Sequence, residues 1–233
     1  MKYFLYLYFI LNSLIHAETH TVRLGNTKIA IIKHKGKGKT FVHLHESEVT
    51  ALAAARLYVA KEGGTLITLK HSGERNVVFY LRGVRYEFDP NRIFTDKGIR
   101  TTLKQFGHYS PAAHFEVKKL ANQILVLIPP GKVVAVHNNN RNYSLKEYFP
   151  KHSLARDANA LYYRSFSNLR NFYFVTRREE YLRLKKLKFN VALQAKHAQD
   201  DGSLSYHFAN KNYVNIESAY GALSAQLKML RSA

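Results

Sequence analysis

Compact apolar runs alternate with helix-patterned segments along most of this chain. Residues 40–44, 65–69, 76–81, 84–88, 133–136 and 172–175 read as strands, and 205–208 and 213–216 resemble short ones. Residues 48–60, 95–106, 115–121, 179–187 and 219–230 carry helical patterning, with Ser47 placed to cap the first helix and Gly63-Gly64 to end it. Residues 21–33 read as an opening strand or hairpin arm, followed by a basic turn over 35–39. Strands that alternate with helices bury their apolar faces best as a sheet covered by helices. The expected fold is therefore α/β, a single domain over 18–233 with a central mixed β-sheet flanked by helices. No internal repeat or composition break divides it.

The first residues read differently. Lys2 precedes an apolar run over 3–11, broken at Asn12 and Ser13 and resumed at Leu14 and Ile15, and Ala17 offers a small residue for cleavage. This pattern predicts a signal peptide over 1–17 and an exported, periplasmic or secreted protein. The chain has no cysteine, so neither disulfides nor thiolate ligands are available. An exported chain without disulfides depends on its apolar core.

The formal charge is +20, from 36 Lys and Arg against 16 Asp and Glu. Such a field attracts anions without choosing among them. Nucleic acid would require cations gathered on one face beside exposed aromatics. Arg177, Arg178, Arg183, Lys185, Lys186 and Lys188 form the best such patch, and a solvated helix face explains them equally well. Nucleic acid is not favoured as a partner; peripheral contact with anionic components of a cell envelope fits the charge.

His45 and Glu48 form an H-x-x-E motif where a strand runs into a helix, and the strand over 133–136 leads to His137. Two histidines and a carboxylate make a common catalytic zinc set that leaves one position open. Ligands of open α/β sheets gather beyond the carboxyl ends of strands, which is where His45 and His137 are expected. His43 with Glu46 has the same spacing, and strand alternation puts His43 and His45 on one face. The later pair is preferred because it lies nearer the strand-to-helix junction. Glu217 follows a strand signal and has the chemistry of a proton acceptor; helix N-termini also collect glutamates without catalytic purpose. Arg92 could clamp a carboxylate, and Arg82 or Arg85 could polarise a carbonyl.

These residues, in this order, resemble the zinc carboxypeptidase superfamily, especially its branch containing succinylglutamate desuccinylase and aspartoacylase. The likeness runs from about Phe41 to Glu217. It implies zinc held by His45, Glu48 and His137, with Glu217 and Arg85 as catalytic residues. It further implies Asn91, Arg92 and Asn138 as substrate-binding residues. Proline replaces the family's leucine before Asn91, Glu46-Ser47 replaces its small residue between ligands, and no capping tyrosine is assigned, though Tyr206 and Tyr213 are available. The implied activity is hydrolysis of an amide or peptide bond near a free carboxylate, in a small peptide or N-acyl amino acid. Export would favour cell-wall (peptidoglycan-derived) or scavenged peptides. The alternatives are a catalytically inactive basic envelope protein that binds anionic ligands and, less favoured, a nucleic-acid-binding protein.

Overall fold

The computed structural model describes residues 17–233. The expected signal peptide lies outside the described residues, apart from Ala17, which opens the first strand. β1 (Ala17–Leu24) and β2 (Thr27–His34) form an antiparallel hairpin. The chain then passes through β3 (Thr40–His43), α1 (Val49–Glu62) and β4 (Thr65–Lys70). A small ribbon of β5 (Val77–Leu81) and β6 (Val84–Phe88) follows, then α2 (Asp96–Gln105) and α3 (Pro111–Leu127). After β7 (Val133–Asn139) come β8 (Ala158–Tyr162), β9 (Phe172–Val175), α4 (Arg178–Lys186) and β10 (Val191–Gln194). One-turn α5 (Leu204–His207), β11 (Tyr213–Ala219) and α6 (Leu223–Ser232) complete it.

Among the described residues, nine strands form one sheet in the order β1-β2-β4-β3-β7-β11-β9-β10-β8. The inner strands β4, β3, β7 and β11 are mutually parallel, and the flanks are mixed. Their sequences show why. TFVH and VVAVHNN are buried at every position, as strands covered on both faces must be. Alternate side chains enter two separate cores. Val42, Ile67, Val133 and Ala135 pack on one face with Ile99 and Leu103 of α2 and Val117 and Leu120 of α3. Phe41, Leu66, Val134 and Val136 pack on the other with Ala51, Ala54 and Ala55 of α1, Leu184 of α4 and Met229 and Leu230 of α6. The result is a single α/β domain whose large mixed sheet is flanked by helices.

Several boundaries differ from the sequence reading. α3 starts earlier than residue 115 because Ser110 caps it, accepting from Ala113 N–H at 3.1 Å, with Pro111 in its first turn. It continues past 121 because Ile124 and Leu127 prolong the buried stripe. Residues 205–208 fall in the one-turn helix rather than a strand, since Ser203 Oγ accepts from Tyr206 N–H and starts a helical turn. Ser47 does not cap α1. Glu48 occupies the N-cap position, and its carboxylate is used elsewhere. β11 runs on through Ala219, so Glu217 belongs to a strand and not to a helix start.

Candidate metal centre and cavity

Strand geometry assembles the centre. β3 ends at His43, and His45 follows it directly into the start of α1 at Glu48. His137 lies near the carboxyl end of the adjacent parallel strand β7. Glu217 on β11 is the register partner of His137 and shares its face, so the two side chains are neighbours one strand spacing apart, about 4.8 Å. His45, Glu48 and His137 are all buried, and each offers a donor atom within 4.8 Å of the other two. His45 Nδ1 is 2.9 Å from Glu48 Oε1 and 3.2 Å from His137 Nδ1, and His137 Nδ1 is 3.1 Å from Glu48 Oε2.

These separations suit zinc. Donors about 2.0–2.1 Å from a tetrahedral ion are about 3.3 Å from each other. Two imidazole nitrogens and a carboxylate oxygen also match the ion's preferred ligands. Two nitrogens 3.2 Å apart with no cation between them need a shared proton. The set can therefore hold a metal ion.

The surroundings of the set are fixed as well. His45 Nε2 donates to Asp89 Oδ1 at 2.7 Å, which orients the ring and leaves Nδ1 facing the cluster. Burial opposes a charge on His45, but Glu48 and Asp89 outweigh it and hold its pKa up to about 9. Burial likewise opposes charge on Glu48, yet His45 and His137 keep its pKa well below the usual carboxylate range. At His43 burial outweighs the favourable charge and carbonyl of Glu48, and its pKa is pushed down to about 4. Its Nε2 lies 3.1 Å from the Glu48 carbonyl oxygen, so the earlier H-x-x-E pair is not the one that converges. Glu46 instead accepts from the backbone N–H groups of His71, Ser72 and Gly73 at 2.6, 2.9 and 2.8 Å.

That loop carries a cation the sequence reading missed. Arg75 donates through Nη1 to Glu48 Oε1 at 2.5 Å, with Nη2 3.5 Å from Asp89 Oδ2. The expected Arg85 lies elsewhere. In the β5–β6 ribbon Tyr86 and Phe88 turn into the core, which turns Arg85 outward, where it donates to Glu87 Oε2 at 2.6 Å. Arg85 is not brought to the cluster; Arg75 is.

A cavity of about 370 Å³ opens over the cluster, bordered by Arg75, Asn91, Arg92 and Glu217 among others. Arg92 donates to Asp201 Oδ2 at 2.6 Å. The loop bearing Asp201 docks closely, for a Cβ at Gly202 would meet the Arg92 carbonyl oxygen at 2.5 Å and Gly98 Cα at 2.5 Å. Asn91 Oδ1 accepts from Leu204 N–H at 3.3 Å. Asn138 borders the cavity, but strand alternation places its side chain on the opposite face from His137. There its Oδ1 accepts from Ala51 N–H at 2.7 Å and its Nδ2 donates to Gln226 Oε1 at 2.8 Å. The Asn138 side chain, expected to contact substrate, is engaged in these structural contacts. Its backbone N–H also donates to Glu48 Oε2 at 3.0 Å.

Glu217 is buried, and burial together with the charge of Glu48 raises its pKa against the opposing pull of His137 and two amides. Its oxygens accept from Asn139 Nδ2 and Asn215 Nδ2, each at 3.2 Å. Tyr143 and Tyr148, bonded hydroxyl to hydroxyl at 2.7 Å, join Tyr206 and Tyr213 along the cavity. Neither came from the sequence reading, because they belong to the irregular segment after β7 where no period marks a facing side.

No family model matches the chain, and no curated protein matches it. Three solved structures show a partial likeness. An aspartoacylase family protein from Mesorhizobium loti aligns with 93% of this chain and 64% of its own, at 14% identity and a TM-score of 0.48. A candidate carboxypeptidase from Burkholderia mallei aligns over 96% and 66%, at 12% identity and 0.41. An aminopeptidase from Legionella pneumophila aligns over 94% and 52%, at 9% identity and 0.38. The chain thus spans between about half and two thirds of the length of the structures it resembles.

Proposed function

We propose that this protein is a zinc-dependent hydrolase of an amide or peptide bond next to a free carboxylate. The observation that carries the reading is the convergence of His45, Glu48 and His137 beside Glu217, in a cavity that also contains Arg92. A zinc ion held by His45, Glu48 and His137 would supply Lewis acidity toward a carbonyl oxygen and toward water.

The chain's own groups supply the rest. Glu217 takes the proton of the attacking water at one carboxylate oxygen and passes it to the leaving amine. Asn139 and Asn215 keep that carboxylate turned toward the cavity. Arg92 exchanges Asp201 for the substrate carboxylate, a bidentate partner of the same charge. Arg75 turns from Glu48 to the carbonyl oxygen as negative charge develops there. The positive surface draws in the carboxylate-bearing substrate by its long-range field. A leader at residues 1–17 would place the reaction outside the cytoplasm, with cell-wall or scavenged peptides as substrates.

Metal content and turnover test the reading together. Purified protein should bind about one zinc per chain and hydrolyse N-acyl amino acids or short peptides, with both properties lost on chelation and restored by zinc. Hydrolysis undiminished by a chelator that strips the metal would overturn it.

A further inference from the structure

Glu46 stands between His45 and Glu48 in the chain but belongs neither to their cluster nor to the lining of the cavity. Its carboxylate is committed elsewhere. One oxygen, Oε2, accepts from the N–H groups of His71, Ser72 and Gly73. Successive amides turned toward one oxygen form an anion-holding concavity. Gly73, with φ at 85°, supplies the left-handed residue of that turn. Strand pairing explains why the two segments meet. β3 and β4 are parallel and pair His43 with Thr68, and Glu46 and His71 each lie three residues past that pair.

The composition of the loop makes this contact matter. Residues 71–76, HSGERN, join β4 to β5 and offer no apolar side chain to either core. Residues 72–75 are exposed. A segment without buried apolar contacts opens easily unless polar contacts hold it. Arg75 itself reaches Glu48 and Asp89, but its side chain is 52% exposed, and ion pairs at that exposure hold a long side chain weakly. The three amides bound by Glu46 lie immediately before Glu74 and Arg75. One short stretch, 46–48, therefore grips the loop twice, by its backbone through Glu46 and by its guanidinium through Glu48.

We infer that Glu46 is a positioning residue: it tethers the 71–73 backbone and so keeps the Arg75 guanidinium beside the His45–Glu48–His137 cluster. The consequence for catalysis rests on the proposed hydrolase reading, in which Arg75 meets the charge that develops on the carbonyl oxygen. Glu46 acts through Arg75 and touches no reacting atom.

The test follows hydrolysis of N-acetyl-alanyl-alanine by the zinc-loaded protein. Glu46→Ala should lower kcat by about 10²-fold, the cost of a displacement of about 1 Å in a catalytic group. KM should stay within about twofold, because Arg92 is not on the loop. Glu46→Gln keeps an oxygen for the three amides and loses the charge, so it should recover most of that kcat. The double variant E46A/R75Q should be no slower than R75Q alone, since the tether has nothing left to position. Gly73→Val opens the same turn from its other side: an added Cβ meets nothing within 4 Å, but a β-branched residue is strained at that φ. It should copy Glu46→Ala and carries the test where that variant does not fold.

Trypsin supplies a reading that needs no turnover. Cleavage after Arg75 should be at least about tenfold faster in E46A and G73V than in wild type, because proteolysis reports how often the loop opens. Wild-type kcat in E46A and G73V would overturn the tether. Equal losses in E46A and E46Q would do so too, by reducing Glu46 to a charge near the metal, as would a double variant slower than R75Q by the full E46A factor. Faster cleavage at Arg75 with no hydrolysis by any form of the protein would remove the hydrolase and leave the tether standing. Equal cleavage in all forms would remove the tether.

Discussion

The parallel centre of the sheet and the β5–β6 ribbon were both expected to deliver site residues, and only the first brings its candidates to the cluster. At the centre, β3, β7 and β11 run in register, so that His45, His137 and Glu217 leave neighbouring strand ends on one side. A parallel arrangement repeats the same chemistry at each carboxyl end, and a ligand set follows from knowing where the strands stop. The ribbon has no such rule. Its two strands are antiparallel and joined by a tight turn at Arg82 and Gly83, both with positive φ. The face of each residue is set by that turn, which sends Arg85 to solvent. Sequence order picked out the three side chains that converge, but order alone could not say which arginine arrives beside them.

The sharpest way to break this comparison is at the centre. Glu217→Gln keeps the size and one of the two hydrogen bonds accepted from Asn139 and Asn215 but cannot take a proton. Turnover should fall by about 10²–10⁴-fold while zinc content, read by metal analysis, is unchanged. The pH profile gives a second reading of the same group. Burial raises the Glu217 pKa above the ordinary 4.5, and the base works only when ionised. Activity should therefore decline as pH falls through a value above 4.5, and no such acid limb should appear where Glu217 is absent. Next in size is Arg75→Gln, which should cost about 10²–10³-fold in kcat if its guanidinium meets developing charge. Retained kcat in this variant would make the loop a bystander like the ribbon.

What could be read from the sequence follows the same division. The strands of the centre were legible because they are short, apolar and buried on both faces, as in TFVH and the TLITL of β4. His45, Glu48 and His137 were legible because spacing and strand ends coincide. The facing of the Asn138 side chain was not drawn from the sequence although its signal was present. A residue adjacent to an inward-facing ligand on a strand faces the other way, and β7 continues through Asn139 rather than ending at His137. Asp89 was visible within Asp89-Pro90-Asn91-Arg92, but its bond to His45 spans 44 residues, a separation that no local period reports. Arg75 and Tyr143 come from loops and Tyr148 from a single 3-10 turn (Leu145–Tyr148), segments whose path is set by tertiary packing such as the Glu46 contacts to 71–73.

Smaller effects sharpen the roles of the supporting residues. Asp89→Asn should weaken zinc binding by about 10–100-fold, measured by competition with a chromophoric chelator, because the His45 ring loses the charged acceptor that orients it. Asn138→Ala should lower stability by about 1–3 kcal/mol in denaturant unfolding, since it leaves Ala51 N–H and Gln226 Oε1 without partners in a buried place. Its effect on KM should be slight, which is the outcome that separates a structural Asn138 from a substrate-binding one.

The smallest expected effect completes the contrast. Arg85→Gln removes a half-exposed cation whose partner, Glu87, also accepts from Asn76 Nδ2 at 2.8 Å. Nothing becomes buried and unpaired, so stability should change by no more than about 0.5 kcal/mol. Activity, assayed beside Arg75→Gln on the same substrate, should stay within about twofold of wild type, because a surface ion pair away from the cavity contributes little. A large loss of kcat at Arg85 with wild-type activity at Arg75 would reverse the assignment. It would also require the ribbon to swing over the cluster during turnover, since the antiparallel register leaves Arg85 no other route to a reacting carbonyl.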